Sequence, residues 1–162
     1  MTDQPNEPAA TELDREMMRR ALELADRAGE EGEVPVGAVV YDASGAIIGT
    51  GRNRREVDRA PQAHAEFLAI VEACRAIGDW RLNNYALAVT LEPCPMCAGL
   101  IVNARVGRVV YGASDPKAGA VRSLYTLLED RRLNHRAEVI AGVMADEASA
   151  QLKSFFAKLR KG

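Results

Sequence analysis

The chain has 162 residues, enough for one domain with a single core, and its composition of 48% hydrophobic but only 5% aromatic residues leaves aliphatic side chains to fill that core. A net charge of −2 argues against a general nucleic-acid binder, and no stretch approaches the ~20 apolar residues that cross a bilayer. Three cysteines, an odd number, do not suggest a disulfide framework; they read as a metal pair plus one more, in a reducing compartment.

Met1 to Ala10 is polar, holds two prolines and lacks a basic run, so it resembles neither a signal nor a transit peptide, and a soluble cytoplasmic protein is expected. Residues 1–12 are expected to be disordered and residues 13–162 to form one domain. Residues 1–33 carry ten acidic and four basic side chains, a balance of −6, which leaves +4 on the remainder. A basic body behind an acidic first helix is compatible with a polyanionic substrate, but two solvated faces of opposite sign explain it equally well.

Thr11 followed by Asp14 predicts a helix start, Leu13, Met17, Ala21, Leu24 and Ala28 recur at helical spacing, and Gly32 ends the helix. Val34 to Tyr41, the turn chemistry of Asp42 to Gly45, and Ala46 to Gly49 predict a hairpin. A polar loop from Arg52 to Pro61 leads to a second helix over His64 to Ala76, stopped near Gly78. Tyr85 to Leu91 reads as a strand, and Pro95 suits the first turn of a third helix. Arg108 to Tyr111 and Glu138 to Val143 read as buried strands, and Asp146 as the cap of a last helix carrying Leu152, Phe155, Phe156 and Leu159. Strands alternating with helices after a hairpin favour an α/β sandwich.

The chemistry lies in His64-Ala65-Glu66 and Pro93-Cys94-Pro95-Met96-Cys97. Catalytic zinc takes three protein ligands and keeps a fourth position open for water, and His64, Cys94 and Cys97 make three. Glu66 is then left over as a proton carrier. Both segments open predicted helices, where free amides and the helix dipole favour thiolate over thiol. His64 and Glu66, two apart, would diverge on a regular helix and converge only at a first turn. A redox Cys-x-x-Cys pair would leave His64 and Glu66 idle, and a structural zinc would need His135, far along the chain, as its fourth ligand. Cys74 reads as a small core residue. Two adjacent phenylalanines on one helix cannot both face inward, so Phe155 or Phe156 is expected near the surface, as core edge or as a platform for a nucleobase.

The pattern H-x-E followed by P-C-x-x-C is a known signature of zinc-dependent nucleobase deaminases. With Glu33 to Val39, Ala63 to Glu66, Thr90 to Gly99, Tyr111 to Asp115, Asn134-His135 and the Phe155-Phe156 helix, the chain resembles the bacterial tRNA-specific adenosine deaminases from about Glu16 to Lys161. The resemblance implies a three-layer α/β/α sandwich of cytidine deaminase-like fold, with a central five-stranded mixed sheet. It also implies a homodimer with one zinc ion per subunit, no organic cofactor, and a tRNA anticodon stem-loop as substrate. Carried over, His64, Cys94 and Cys97 bind zinc, Glu66 shuttles protons and Asn53 contacts the target nucleoside. Asp115, Lys117 and the Phe155-Phe156 region meet the anticodon loop. Two positions depart from the family pattern: Arg122 stands where a small glycine is common, in the Asp115 to Ser123 loop, and Ser149 replaces a frequent cysteine. The implied reaction is hydrolytic deamination of the wobble adenosine to inosine. A small-molecule deaminase acting on guanine, cytosine or a nucleoside shares the same zinc chemistry, and a non-catalytic zinc-stabilised module would not need Glu66.

Overall fold

The structure is a computed structural model and describes residues 8–161. Helix α1 (Glu12–Glu30) begins with a reciprocal cap: Thr11 Oγ1 accepts the Asp14 N–H, and Asp14 accepts the Thr11 N–H. Of the 1–12 segment expected to be disordered, residues 1–7 lie outside the described residues, while Thr11 and Glu12 already belong to this helix start. Asp14 does more than cap. Its buried carboxylate also accepts the Tyr41 hydroxyl at 2.7 Å and pairs with Arg108, tying α1 to the sheet. The chain leaves α1 through Gly32, whose φ of +84° suits a residue without a Cβ.

Strands β1 (Gly37–Tyr41) and β2 (Ile47–Arg52) form the hairpin, turned by Asp42, whose Oδ1 accepts the backbone N–H groups of Ser44 and Ala46. There follow α2 (Ala65–Ile77), β3 (Ala86–Leu91), α3 (Pro95–Asn103), β4 (Arg108–Ala113), a 3₁₀ turn at Leu127–Glu129, β5 (Glu138–Ile140) and α4 (Ala145–Lys161). The sheet order is β2-β1-β3-β4-β5, antiparallel across β2, β1 and β3 and parallel across β3, β4 and β5. The expected five-stranded mixed sheet is therefore present.

Alternate side chains of the central strands feed two cores. Ala38, Val40, Leu87, Val89 and Val109 pack under α2 and α3, while Val39, Tyr41, Ala88 and Val110 pack under α1 and α4. Nearly every residue of β1 and β3 is buried, as expected of strands covered on both faces.

Three boundaries differ from the sequence reading. β1 starts at Gly37 rather than Val34, past Pro35, which has no ladder donor to offer. β2 runs on to Arg52 because Gly49 and Gly51 are packing positions, not breakers. A Cβ on Gly51 would stand 2.1 Å from the Ala65 carbonyl oxygen, and one on Gly49 2.3 Å from that of Ala69. These glycines let α2 lie directly on the edge strand. β5 stops at Ile140, and Gly142 (φ +77°) with Met144 (φ +55°) turns the chain into α4, so Asp146 lies in its first turn rather than capping it.

Candidate active site

Two helix starts converge at the ends of β1 and β3. His64 is the N-cap of α2, held in extended geometry, and Glu66 occupies the first turn behind it. Cys94 is the N-cap of α3, Pro95 fills the first helical position, and Cys97 follows inside the first turn. Neither cap uses its side chain to satisfy the helix, so imidazole and sulfur are free to face each other. Nδ1 of His64 lies 3.6 Å from Cys94 Sγ and 3.5 Å from Cys97 Sγ, and the three donor atoms all lie within 4.8 Å of one another.

The protonation chemistry suits a divalent cation. The Cys97 thiol donates to Cys94, which together with His64 pushes the Cys94 thiol down to about 4. Cys97, holding the donated proton and buried, is pushed up. The hydrogen bond with Cys94 raises His64. Two sulfurs and an imidazole sharing protons at this spacing are the donor set zinc takes over, since a coordinating thiol is deprotonated outright. Only one imidazole and two sulfurs converge here among the described residues, which leaves a tetrahedral ion one open position. His135 is not a fourth ligand; its Nε2 is 2.6 Å from the Val106 carbonyl oxygen. Cys74 is half-buried rather than fully buried, and its thiol donates to the Trp80 carbonyl.

Glu66 is only 4% exposed, and burial pushes its carboxyl above the usual carboxylate range. It opens on a cavity of about 210 Å³ whose walls include Val34, Asn53, His64, Glu66, Cys94 and Asp115. That volume lies below the ~300–1,000 Å³ of drug-sized ligand sites and suits a single ring system.

Asn53 reaches the cavity on a rigid mount. Its backbone N–H donates to Val36, its side-chain amide to the Val34 carbonyl, and its Oδ1 accepts the Arg55 N–H. Asp115 also lines the cavity, but Oδ1 is engaged in its own turn, accepting the Lys117 and Ala118 N–H groups. Lys117 is exposed on that turn, outside the lining. Phe155 and Phe156 meet edge-to-face at 5.4 Å on α4, away from the lining, with Phe155 half-buried and Phe156 44% exposed. Arg122 keeps its loop without left-handed backbone, and its guanidinium pairs with Glu129 at 3.2 Å. The structure thus brings five of the expected residues, Asn53, His64, Glu66, Cys94 and Asp115, to one cavity, buries Cys97 beside His64, and leaves Lys117 and the two phenylalanines outside.

Sequence reasoning assigned no role to Glu33 and Glu92, although both sit in motifs it singled out. The structure buries them at 1% and 2% exposure, Glu92 as part of the cavity lining and Glu33 next in sequence to Val34 of that lining. A carboxylate directly before an apolar run, or between a strand and a Pro-Cys, is the signal that was available.

Comparison with known proteins agrees with this geometry. The zinc-binding region of cytidine and deoxycytidylate deaminases matches residues 11–113. A tRNA-specific adenosine deaminase of Bacillus subtilis is 51% identical over 89% of both chains. Among solved structures, one from work on A-to-I editing by tRNA:A34 deaminases at the wobble position superposes with a TM-score of 0.81 at 42% identity, over 85% of this chain and 99% of that one. A guanine deaminase from Nitrosomonas europaea gives 0.79 at 25% identity, over 96% and 89%. With a family match across more than half its length, and 51% identity to a relative of similar size over 89% of the chain, this chain belongs to the zinc-binding cytidine and deoxycytidylate deaminase family, in its tRNA-specific adenosine deaminase branch.

Proposed function

We propose that the protein hydrolyses adenosine to inosine at the wobble position of a tRNA anticodon, releasing ammonia. The observation that carries this reading is the buried Glu66 carboxyl in the same small cavity as His64 and Cys94, whose donor atoms lie within 4.8 Å of that of Cys97. Relatives of the same length that bear the tRNA-specific name support the choice of substrate.

His64, Cys94 and Cys97 would hold one zinc ion per chain, and zinc so bound supplies the Lewis acidity that makes water nucleophilic near neutral pH. Glu66 accepts a proton from the attacking water and passes it to N1 of the purine, which makes C6 electrophilic. The water oxygen bonds to C6. Glu66 then takes the remaining proton from the oxygen now on C6 and delivers it to the exocyclic nitrogen as the C6–N bond breaks, and ammonia departs. Asn53 orients the nucleoside from a mount fixed by three backbone contacts. A base in a single-stranded loop is already unpaired, so turning it into the cavity costs only a few kcal/mol. Asp115, Lys117, Phe155 and Phe156 lie on exposed or half-exposed surface suited to the remainder of the loop.

Residues 13–162 act as one deaminase domain in this reading. A homodimer is supported by the apolar groove that includes Ile70, Trp80 and Leu100, where Trp80 is 56% exposed. No helix among the described residues is long and apolar enough to cross a membrane, which agrees with a cytoplasmic enzyme.

A second reading, deamination of a free base, draws on the likeness to the Nitrosomonas europaea guanine deaminase. Mass spectrometry separates the two. Zinc-loaded protein is given an anticodon stem-loop with adenosine at the wobble position, alongside free adenosine, guanine, cytosine and cytidine. Inosine in the stem-loop alone is expected; turnover of a free base with the stem-loop untouched overturns the RNA reading.

A further inference from the structure

Glu92 follows the last residue of β3, precedes Cys94 by two positions and itself forms part of the cavity lining. Its carboxylate is surrounded by donors from a single loop. Oε1 accepts the Asp115 N–H at 3.0 Å and the Ser123 hydroxyl. Oε2 accepts the N–H groups of Val121, Arg122 and Ser123 at 3.1, 2.9 and 2.9 Å. Gly119 passes so close that a Cβ there would lie 2.3 Å from the Glu92 carboxyl carbon. The Ala120 N–H, in turn, donates to the Pro93 carbonyl at 2.8 Å. The 115–123 segment is therefore wrapped around one buried charge, in the manner of backbone amides gathered on an anion.

That segment carries Asp115 and Ala118 to the cavity wall. The opposite wall is built on the same principle at smaller scale. Glu33 is buried and accepts the Glu56 N–H at 3.0 Å and the Val57 N–H at 3.0 Å, anchoring the loop that begins at Asn53. Both walls are irregular backbone; in the 115–123 segment Ala120 and Val121 are buried in the core, while the backbone amides on either side of them are held by the Glu92 carboxylate.

We propose that Glu92 is a positioning residue for substrate recognition: it fixes the 115–123 loop relative to Cys94, so that the wall meeting the target nucleotide is registered to the metal-binding segment. Its removal loosens the wall without emptying the metal site. Glutamine at this position keeps one acceptor oxygen but turns an NH₂ group towards backbone N–H donors, so at least one of the five bonds is lost and a donor–donor clash appears. Ser123→Ala removes a single donor and leaves the carboxylate in place.

The test uses zinc-loaded full-length protein. Amide hydrogen exchange, zinc content and steady-state kinetics on the anticodon stem-loop are measured for wild type, Glu92→Gln and Ser123→Ala. In Glu92→Gln, zinc stays at wild-type content and kcat changes little. Exchange across 115–123 accelerates, and KM rises about tenfold, the effect of a few lost charge-assisted bonds. Ser123→Ala moves the same readouts in the same direction by about threefold, and it alone decides the matter if Glu92→Gln does not fold. Loss of zinc in step with activity, or unchanged exchange and KM, overturns the proposal. The kinetic arm rests on the RNA-editing reading; the exchange arm does not, so a wild type inactive on the stem-loop sinks that reading while the loop measurement still stands or falls by itself.

Discussion

The converging starts of α2 and α3 and the outer half of α4, the latter assigned to substrate only in the proposed reading, are built in two different ways. At the first, His64, Cys94 and Cys97 bring their donor atoms within 4.8 Å of one another with Glu66 in the first turn behind His64, all held by two helix starts. At the second, a 17-residue helix buries only Ala148 and presents Phe156, Lys158, Leu159 and Arg160 to solvent. Chemistry needs the first arrangement, because proton transfer and metal ligation fail with small displacements. Recognition of a flexible polyanion tolerates the second, because its contacts are many, partly hydrated and individually weak. Substitutions at the helix starts should therefore act in an all-or-none manner, and those on α4 by degrees.

The sharpest way to break this contrast is Glu66→Gln. Turnover should fall by at least ~10²–10⁴-fold, the usual contribution of a general acid–base, while zinc content measured by mass spectrometry stays at wild-type level. Substantial residual activity would remove the distinction between the two regions. Next in size is Gly51→Val, which drives a side chain into the Ala65 carbonyl and lifts α2 off β2. A loss of about 1–3 kcal/mol in denaturant unfolding is expected, together with weakened zinc retention, because His64 caps that helix. Full stability would mean that the glycine approach does not hold the metal segment.

On the other side of the comparison, Phe156→Ala should raise KM for the stem-loop about five- to tenfold, towards the low end of ~1–3 kcal/mol per stacked base, with zinc content and melting temperature unchanged. A parallel loss of metal would mean that α4 supports the fold rather than the substrate. The smallest effect is expected at Asp14, far from both regions. Burial pushes its carboxyl up, but Arg108, the Thr11 N–H and the Tyr41 hydroxyl together hold it below the usual range. A carboxylate with a lowered folded-state pKa contributes stability that is fully present above its unfolded value of ~3.9 and is lost as pH falls through the folded value. Asp14→Asn should accordingly be less stable near neutrality and show a flatter acid limb between roughly pH 5 and 3 in unfolding midpoints, with kinetics unaffected. A wild-type acid limb in that variant would place the acid sensitivity elsewhere.

Legibility in the sequence followed the range of the interaction. The Thr11–Asp14 cap, the stop at Gly78, Pro95 at the first turn of α3 and the alternation of buried strands are contacts within a few residues, and each appeared where local chemistry put it. The end of β2 was missed because Gly49 and Gly51 look like breakers until α2 is laid on them. The turn after Ile140 was missed because an apolar run through Val143 reads as strand, while the left-handed backbone at Gly142 and Met144 is invisible in composition. At the site, ligand types and spacing announced His64, Cys94, Cys97 and Glu66. Glu33 before an apolar run and Glu92 before Pro-Cys stood at marked positions, but the loop amides they hold lie more than 20 residues away, so their role was not legible.

Sequence alone thus determined the chemistry, because ligand identity, the leftover carboxyl and the helix starts that hold them are encoded within two short segments. Only the tertiary structure decided the shape of the cavity. Beside the helix starts, its walls include loops whose backbone amides find their partners more than 20 residues away, at Glu33 for the loop after Asn53 and at Glu92 for 115–123. A buried carboxylate is held charged only when donors surround it, and which donors those are depends on where the sheet has brought the chain.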